Sequence, residues 1–374
     1  MPLRIHHYIT RLILGGAQEN TLLTCEGLHQ RGHDVTLVTG PALGTEGELL
    51  SRARSGGYRV VELNSLCREI SPWNDWKAYR ALRKIIRTEK PDIVHTHSSK
   101  AGILGRRAAR KENVSTIVHT IHGLPFHEYQ NRLLFHFYRS CERRAASWCD
   151  HLICVGEVMR EKAIAAGVGK AEDYSVVRSG MEMESFLQTY DKVLARERWN
   201  LPRDTKVIGV LSRLAPLKGH MDLIQAAENV HLFFVGDGEL RPLLEAAARK
   251  KNLPLTITGM IDPGEIPEAL AAMDILVHPS YREGLPRAVV QGLLSETPVV
   301  AFDCDGAKEV VVNGETGFLI PPGNLQSLYA AIQSAFHSGD ALAKEGRNRC
   351  LEMFSAEKMV LDIEHIYENL GSKK

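Results

Sequence analysis

The sequence predicts an α/β protein built from two doubly wound, Rossmann-like parallel-sheet domains. Three observations point there. Short β-branched runs alternate with amphipathic stretches along nearly the whole chain. That rhythm pauses near residues 180–204, which lack clear periodicity and carry Pro202, and then resumes. Finally, 374 residues exceed one ordinary hydrophobic core.

In the first half the predicted strands are Arg4–Thr10, Asp34–Thr39, Tyr58–Leu63, Asp92–His95, Ser115–Thr120 and His151–Val155. Helix-like stretches lie between them, among them Ala17–Gln30, Trp76–Glu89 and Gly102–Lys111. The second half repeats the pattern with Lys206–Leu211, His231–Val235, Leu255–Thr258, Ile275–His278, Pro298–Phe302 and Gly317–Ile320. Strands that alternate with helices form parallel sheets covered on both faces. Such sheets bind ligands beyond the C-terminal ends of their strands, so a cleft between two facing domains is the expected site. A last helix, about residues 355–370, closes the chain. The expected domains are 1–180, together with 355–374, and 181–354.

Hydrophobic residues make up 44% and charged residues 24%, a balance usual for a soluble enzyme. No run approaches the roughly 18 apolar residues of a membrane span, and no signal-peptide pattern opens the chain. The seven cysteines are odd in number and include no CxxC pair, which predicts a reduced, cytoplasmic protein without a zinc site. Net charge is +1 overall, but residues 1–180 carry about +8 and the remainder about −7. The basic half suggests an anionic partner such as a phosphorylated acceptor or acidic membrane, or else solvated helix faces.

Four segments carry candidate chemistry. Gly15 and Gly16 follow the first strand and open the first helix, where glycine lets backbone approach a phosphate, or simply makes a turn. The spacing is not GxGxxG, so dinucleotide binding is disfavoured. Arg213 and Lys218, five residues apart on one loop, can grip both phosphates of a diphosphate and neutralise it as it departs. Glu283 follows the strand ending at His278 and can bond sugar hydroxyls, while Gly284 and Leu285 offer amides from a helix N-terminus. Gln291, eight residues on, is expected on about the same helix face as Glu283.

Taken together, these segments resemble glycosyltransferase family 4. The resemblance rests on Pro279-Ser280 through Glu283-Gly-Leu-Pro286, on Pro298-Val-Val-Ala301 and on Gly306-Ala-Lys-Glu309. It extends to Val235–Leu240, Ser212-Arg213 with Lys218-Gly219, the Gly15-Gly16 loop, and Asp92–His97 with Lys100 and Gly102. It implies a GT-B fold, retention of anomeric configuration and a hexose-type nucleotide diphosphate sugar as donor, with UDP the leading nucleotide. It also implies that the last helix crosses back onto the first domain, which would receive the acceptor while the second holds the donor. By the same resemblance Arg213 and Lys218 bind the diphosphate, Glu283 the sugar hydroxyls and Gln291 the ribose. His122 matches a histidine near the reacting end of the sugar, and backbone at Gly259-Met260 receives the base.

One departure is notable: the family carries Glu where this chain has Gln291. An amide still bonds a ribose but accepts more weakly than a carboxylate, so altered donor affinity is expected rather than lost chemistry. No metal is expected, although Asp303-Cys304-Asp305 matches a short metal-binding pattern of another glycosyltransferase fold. His95 and His97 are expected on opposite faces of their strand, with a core or cleft role; His97 and Lys100 are candidate acceptor contacts. Lys100 can receive an acceptor phosphate, supported by Arg106, Arg107 and Arg110 unless these are merely solvated. Phe126–Arg139 reads either as a helix resting on an anionic membrane or as one whose Leu134, Phe137 and Tyr138 face the core. The expected partners are thus the nucleotide sugar, a glycan or lipid-linked acceptor of cell-surface polysaccharide synthesis, and the inner membrane face, but no nucleic acid. Two competing readings are nucleotide-sugar epimerisation and a non-catalytic nucleotide- or glycan-binding protein.

Overall fold

The computed structural model describes residues 2–41 and 47–372. It divides into two compact units, Met1–Met181 with Ala356–Lys374, and Glu182–Ser355.

The first unit runs β1 (Arg4–Arg11), α1 (Gly16–Gln30), β2 (Asp34–Gly40), α2 (Leu50–Ser55), β3 (Arg59–Glu62), α3 (Pro72–Glu89) and β4 (Ile93–His97). It continues α4 (Ser99–Lys111), β5 (Thr116–Ile121), α5 (Arg132–Ala146), β6 (His151–Cys154), α6 (Glu157–Ala165) and β7 (Tyr174–Val176). All seven strands are parallel, in the order β3-β2-β1-β4-β5-β6-β7. The order reverses between β1 and β4, so the loops after these strands open a crevice at their C-terminal ends. The strands are Val/Ile-rich because helices cover both faces. One face packs Ile5, Ile9, Leu22 and Leu28, the other Val94, Leu82, Ile86 and Ala108.

The second unit runs α7 (Lys192–Arg198), β8 (Val207–Leu211), α8 (His220–Ala226), β9 (His231–Val235), α9 (Arg241–Lys250), β10 (Leu255–Ile257) and α10 (Ile266–Ala271). It then adds β11 (Ile275–His278), α11 (Arg287–Leu294), β12 (Val299–Phe302), α12 (Ala307–Val310), β13 (Phe318–Ile320) and the long α13 (Leu325–Met353). Its six parallel strands follow β10-β9-β8-β11-β12-β13, with the switch between β8 and β11.

The last helix, α14 (Ala356–Gly371), belongs to the first unit; residues 373–374 of the expected 355–374 segment lie outside the described residues. Met359, Val360, Ile363 and Tyr367 enter the same core as Leu22 and Leu28 of α1. Close approach is possible because Gly27 faces Val360: a Cβ there would lie 2.5 Å from its Cγ2. At the rim, Glu364 accepts hydrogen bonds from Arg31 and His33 at 2.6 and 2.9 Å.

Two features depart from the sequence reading. The seventh strand, β7, is an edge strand of three residues, too short to show alternation. The expected linker region holds α7, capped by the Asp191 side chain on the amides of Val193 and Leu194. Arg196 ties that helix to the second unit, bonding Asp274 at 2.7 Å and the Arg203 carbonyl at 2.7 Å.

Candidate active site

In the second unit, the switch point gathers the loops after β8 and β11. The β8 loop turns sharply at Leu217 and Gly219, both with positive φ (65° and 68°). A Cβ on Gly219 would lie 1.9 Å from the Pro279 carbonyl oxygen, so only glycine allows the two loops to touch. The Tyr281 amide then donates to the Leu217 carbonyl at 2.8 Å.

This contact brings Lys218 and Glu283 together although 65 residues separate them. Lys218 Nζ donates to Glu283 Oε1 at 2.5 Å, and His278 Nε2 lies 3.1 Å from the same oxygen. Both partners of the ion pair are largely buried. Burial alone would raise the Glu283 carboxyl pKa, but the Lys218 charge and the hydrogen bonds from His278 and Lys218 outweigh it and hold it well below the usual range. The Lys218 cation thus favours the ionised form of Glu283. His220, at the start of α8, is nearly inaccessible and bonds Ser212 Oγ at 3.1 Å. Burial, then the Lys218 cation, lowers its pKa to about 4. Arg213 is exposed on the same β8 loop.

A second glycine loop braces the first. Cβ atoms on Gly236 and Gly238 would lie 2.2 and 2.3 Å from the carbonyl oxygens of Ser212 and Leu214. Gly236 also bridges to Gly259, which places exposed Met260 beside this loop.

In the first unit, Gly15 caps α1 without a side-chain hydrogen bond and Gly16 begins the helix. Nearby, Thr10 Oγ1 and Ser98 Oγ bond at 2.7 Å across β1 and the start of α4. A cavity of about 520 Å³ opens here, with Arg11, Gln18, Arg68 and Lys100 among its polar lining and Phe137 and Tyr138 among its apolar lining. His122, just past β5, stacks on His97, with His97 Nδ1 3.1 Å from His122 Nε2.

Against this geometry, residues 15–180 match the family described as the glycosyl transferase 4-like domain, and residues 191–350 match glycosyl transferases group 1. The chain is 30% identical to an Escherichia coli protein, UDP-Gal:alpha-D-GlcNAc-diphosphoundecaprenol alpha-1,3-galactosyltransferase, over 100% of this chain and 98% of that one. The chain belongs to the group 1 glycosyltransferases. A capsular polysaccharide biosynthesis glycosyltransferase, CapM of Staphylococcus aureus, is 25% identical over 91% of each chain. Among solved structures, sucrose-phosphate synthase from Thermosynechococcus elongatus superposes with a TM-score of 0.84 at 22% identity over 99% of each chain. Anabaena HepE in complex with UDP-glucose gives 0.81 at 21%, over 98% of this chain and 100% of that one. Both show the GT-B fold of two Rossmann-like sheets and a C-terminal helix.

Several expected placements in this glycosyltransferase need correction. Gly284 and Leu285 lie ahead of α11, whose N-cap is Pro286, because a proline disfavours helical backbone in the residue before it. Helical spacing therefore does not relate Glu283 to Gln291, which sits within α11. His95 and His97 share one face: residues two apart in a strand point the same way, and their rings stack at 4.4 Å. His97 is fully buried, so it lies behind His122 rather than against an acceptor. Lys100 is paired with Asp75 at 2.7 Å and also donates to the Glu69 carbonyl. Arg106 is not solvated; it is fully buried and bonds Glu142 at 2.8 Å. On α5, Leu134 and Phe137 are half exposed, which removes the core-facing reading for these two, whereas Tyr138 packs against a buried core cluster; Leu133 is 81% exposed.

Sequence reasoning missed His278 and the work of Asp303–Asp305. Asp305 Oδ2 accepts the Glu283 amide at 2.8 Å, and Cys304 Sγ lies 2.8 Å from the Ser280 carbonyl oxygen. The segment buckles the Glu283 loop in place. Asp305→Ala is expected to lower turnover about tenfold, the scale of one lost hydrogen bond to a charged acceptor, equally in EDTA and in magnesium. Activity restored by added magnesium would speak for the metal motif instead.

Proposed function

We propose that this glycosyltransferase moves a hexose, with retention, from a UDP-sugar to a lipid-linked or glycan acceptor in surface polysaccharide synthesis. The observation that carries the reading is the Lys218–Glu283–His278 cluster at the switch point of the second unit. There an ionised carboxylate is held ready for sugar hydroxyls, with cations for the diphosphate on the facing loop. Lys218, Arg213 and loop amides stabilise the anionic leaving group as the bond from the anomeric carbon to the diphosphate breaks. The departing phosphate oxygen takes the acceptor's proton while the new bond forms on the same face of the sugar. Glu283 orients the sugar and forms no covalent bond. Gly236, Gly259 and Met260 frame the base, and Gln291 meets the ribose. The Escherichia coli relative's named donor and its diphosphoundecaprenol acceptor favour UDP and a polyprenyl diphosphate.

Calorimetric titration with UDP, GDP and ADP in EDTA tests the donor reading. UDP is expected to bind, and Arg213→Ala to weaken it. Absence of any nucleotide binding, or binding only with magnesium, overturns it.

The acceptor reading places a polyprenyl diphosphate at the first unit and the protein against the inner membrane face. Exposed Leu133, Leu134 and Phe137 share α5 with Arg132, Arg139, Arg143 and Arg144, and Trp73 and Trp76 stack on α3 beside Lys77 and Arg80. Apolar groups flanked by cations suit an anionic leaflet. Flotation with liposomes rich in acidic lipid is expected to carry the protein at low salt and to fail for Leu133→Ser/Phe137→Ser. Equal flotation with neutral lipid contradicts the charge component.

A further inference from the structure

The first sheet carries a run of histidines that the reaction described above does not use. β1 and β4 are neighbours in register, His7 opposite His95, and period two puts His97 on the same face. His122 follows the end of β5 and completes the row. Two bonds link three of the rings: His7 Nδ1 to His97 Nε2 at 3.0 Å, and His97 Nδ1 to His122 Nε2 at 3.1 Å. His95 stands beside the row with both nitrogens engaged, by Tyr367 Oη at 2.5 Å and Thr120 Oγ1 at 2.7 Å.

His7 and His97 are completely buried. Burial lowers the His7 pKa to about 3, with a small contribution from neighbouring His6. His97 is pulled well below its ordinary value by burial and then by His95, His7, His122 and His119. His7 and His97 are therefore neutral, each with one N–H and one bare nitrogen. Two linked bonds running through these two neutral rings leave only two directions for the protons. In one, His122 donates to His97 and His97 to His7, which strands the remaining N–H of His7 at Nε2. That atom is buried and has no hydrogen-bond partner. In the other direction, His7 donates to His97 and His97 to His122, and the stranded atom is a bare nitrogen. A buried donor without an acceptor is the rarer and costlier defect.

We infer that His7 and His97 are positioning residues that lock His122 in its Nδ1–H tautomer, with Nε2 occupied as an acceptor. The inference rests on the placement of His122 near the reacting end of the sugar. There His122 serves as a hydrogen-bond donor to a sugar or phosphate oxygen and not as a base, since its bare nitrogen is held by His97. No bond is made or broken in the row itself.

The test is the two-bond ¹⁵N–¹H spectrum of the imidazoles in the full-length protein at pH 7.5, with His122 assigned by its loss in His122→Gln. Protonated Nδ1 and bare Nε2 are expected on His122; the opposite pattern overturns the proposal without any folding question. His97→Asn puts an amide donor where Nδ1 stood, and is expected to keep the Nδ1–H signature with turnover within about threefold. His97→Leu is expected to release His122 to the Nε2–H form and lower kcat about tenfold with donor KM little changed, one hydrogen bond's worth. An unchanged His122 signature in His97→Leu overturns the locking. The expected wild-type spectrum together with full turnover in His122→Ala supports the lock and overturns only the placement of His122 beside the sugar.

Discussion

Glu283→Gln is expected to cut kcat about 100-fold while leaving donor KM nearly unchanged. The amide still fills the loop and can accept from Lys218, so the fold around it is retained. What is lost is a fixed negative charge against the sugar hydroxyls and the rigidity of a 2.5 Å ion pair. Misplacing a reacting group by about 1 Å costs on the order of 100-fold. The pH profile gives an independent check. Because the Lys218 charge overcomes burial and keeps the Glu283 carboxyl well below its usual range, the acid limb of the kcat profile does not come from this residue. Initial rates from pH 5.5 to 8 with the UDP-sugar that binds best would measure both. A Gln variant within threefold of the parent would sink the orienting role.

The second large effect concerns acid stability of the first unit. His7, His95, His97 and His119 are all buried there, and burial depresses each imidazole first and foremost. A folded-state pKa below the unfolded value of 6.5 means the unfolded chain takes up protons first. The stability is complete above pH 6.5 and is lost as the pH falls towards the folded values. A histidine that stays neutral in the fold gives up about 1.4 kcal/mol for each pH unit below 6.5, so several of them together draw on a domain stability of about 5–15 kcal/mol. In the second unit, His220 and His231 are shifted the same way, so the loss there is smaller. The Glu283 contribution fades only below about pH 4.5, outside this window. Trp199 is the one tryptophan of the second unit, so Trp199→Phe leaves emission from the first unit alone. That emission is expected to change between pH 6 and 5. Native emission persisting to pH 4.5 would contradict the argument.

Most strands and their parallel arrangement were legible in the sequence because buried strands show as β-branched runs, but the order of the strands in each sheet was not. The motif loops were legible because glycine and proline mark where backbones meet. Pairing across the sheet was not. Nothing local says that Lys218 touches Glu283, that Asp75 takes Lys100, or that Glu142 takes Arg106, since each pair is joined only by folding. The misjudged face of His95 and His97 hid the histidine row in the same way. Once both are placed on one face, His7, three strands earlier in the chain, becomes their natural neighbour through the β1–β4 pairing.

The C-terminal helix has a consequence for synthesis. The first unit is begun before the second and finished after it, since Met359, Ile363 and Tyr367 complete its core. The second unit is emitted whole in between. During translation, Leu22 and Leu28 thus wait uncovered while some 170 residues of another domain are made. The nascent chain is exposed to chaperones and to aggregation through that interval. A premature stop before Ala356 would then leave a well-folded second unit joined to a first unit that never closes.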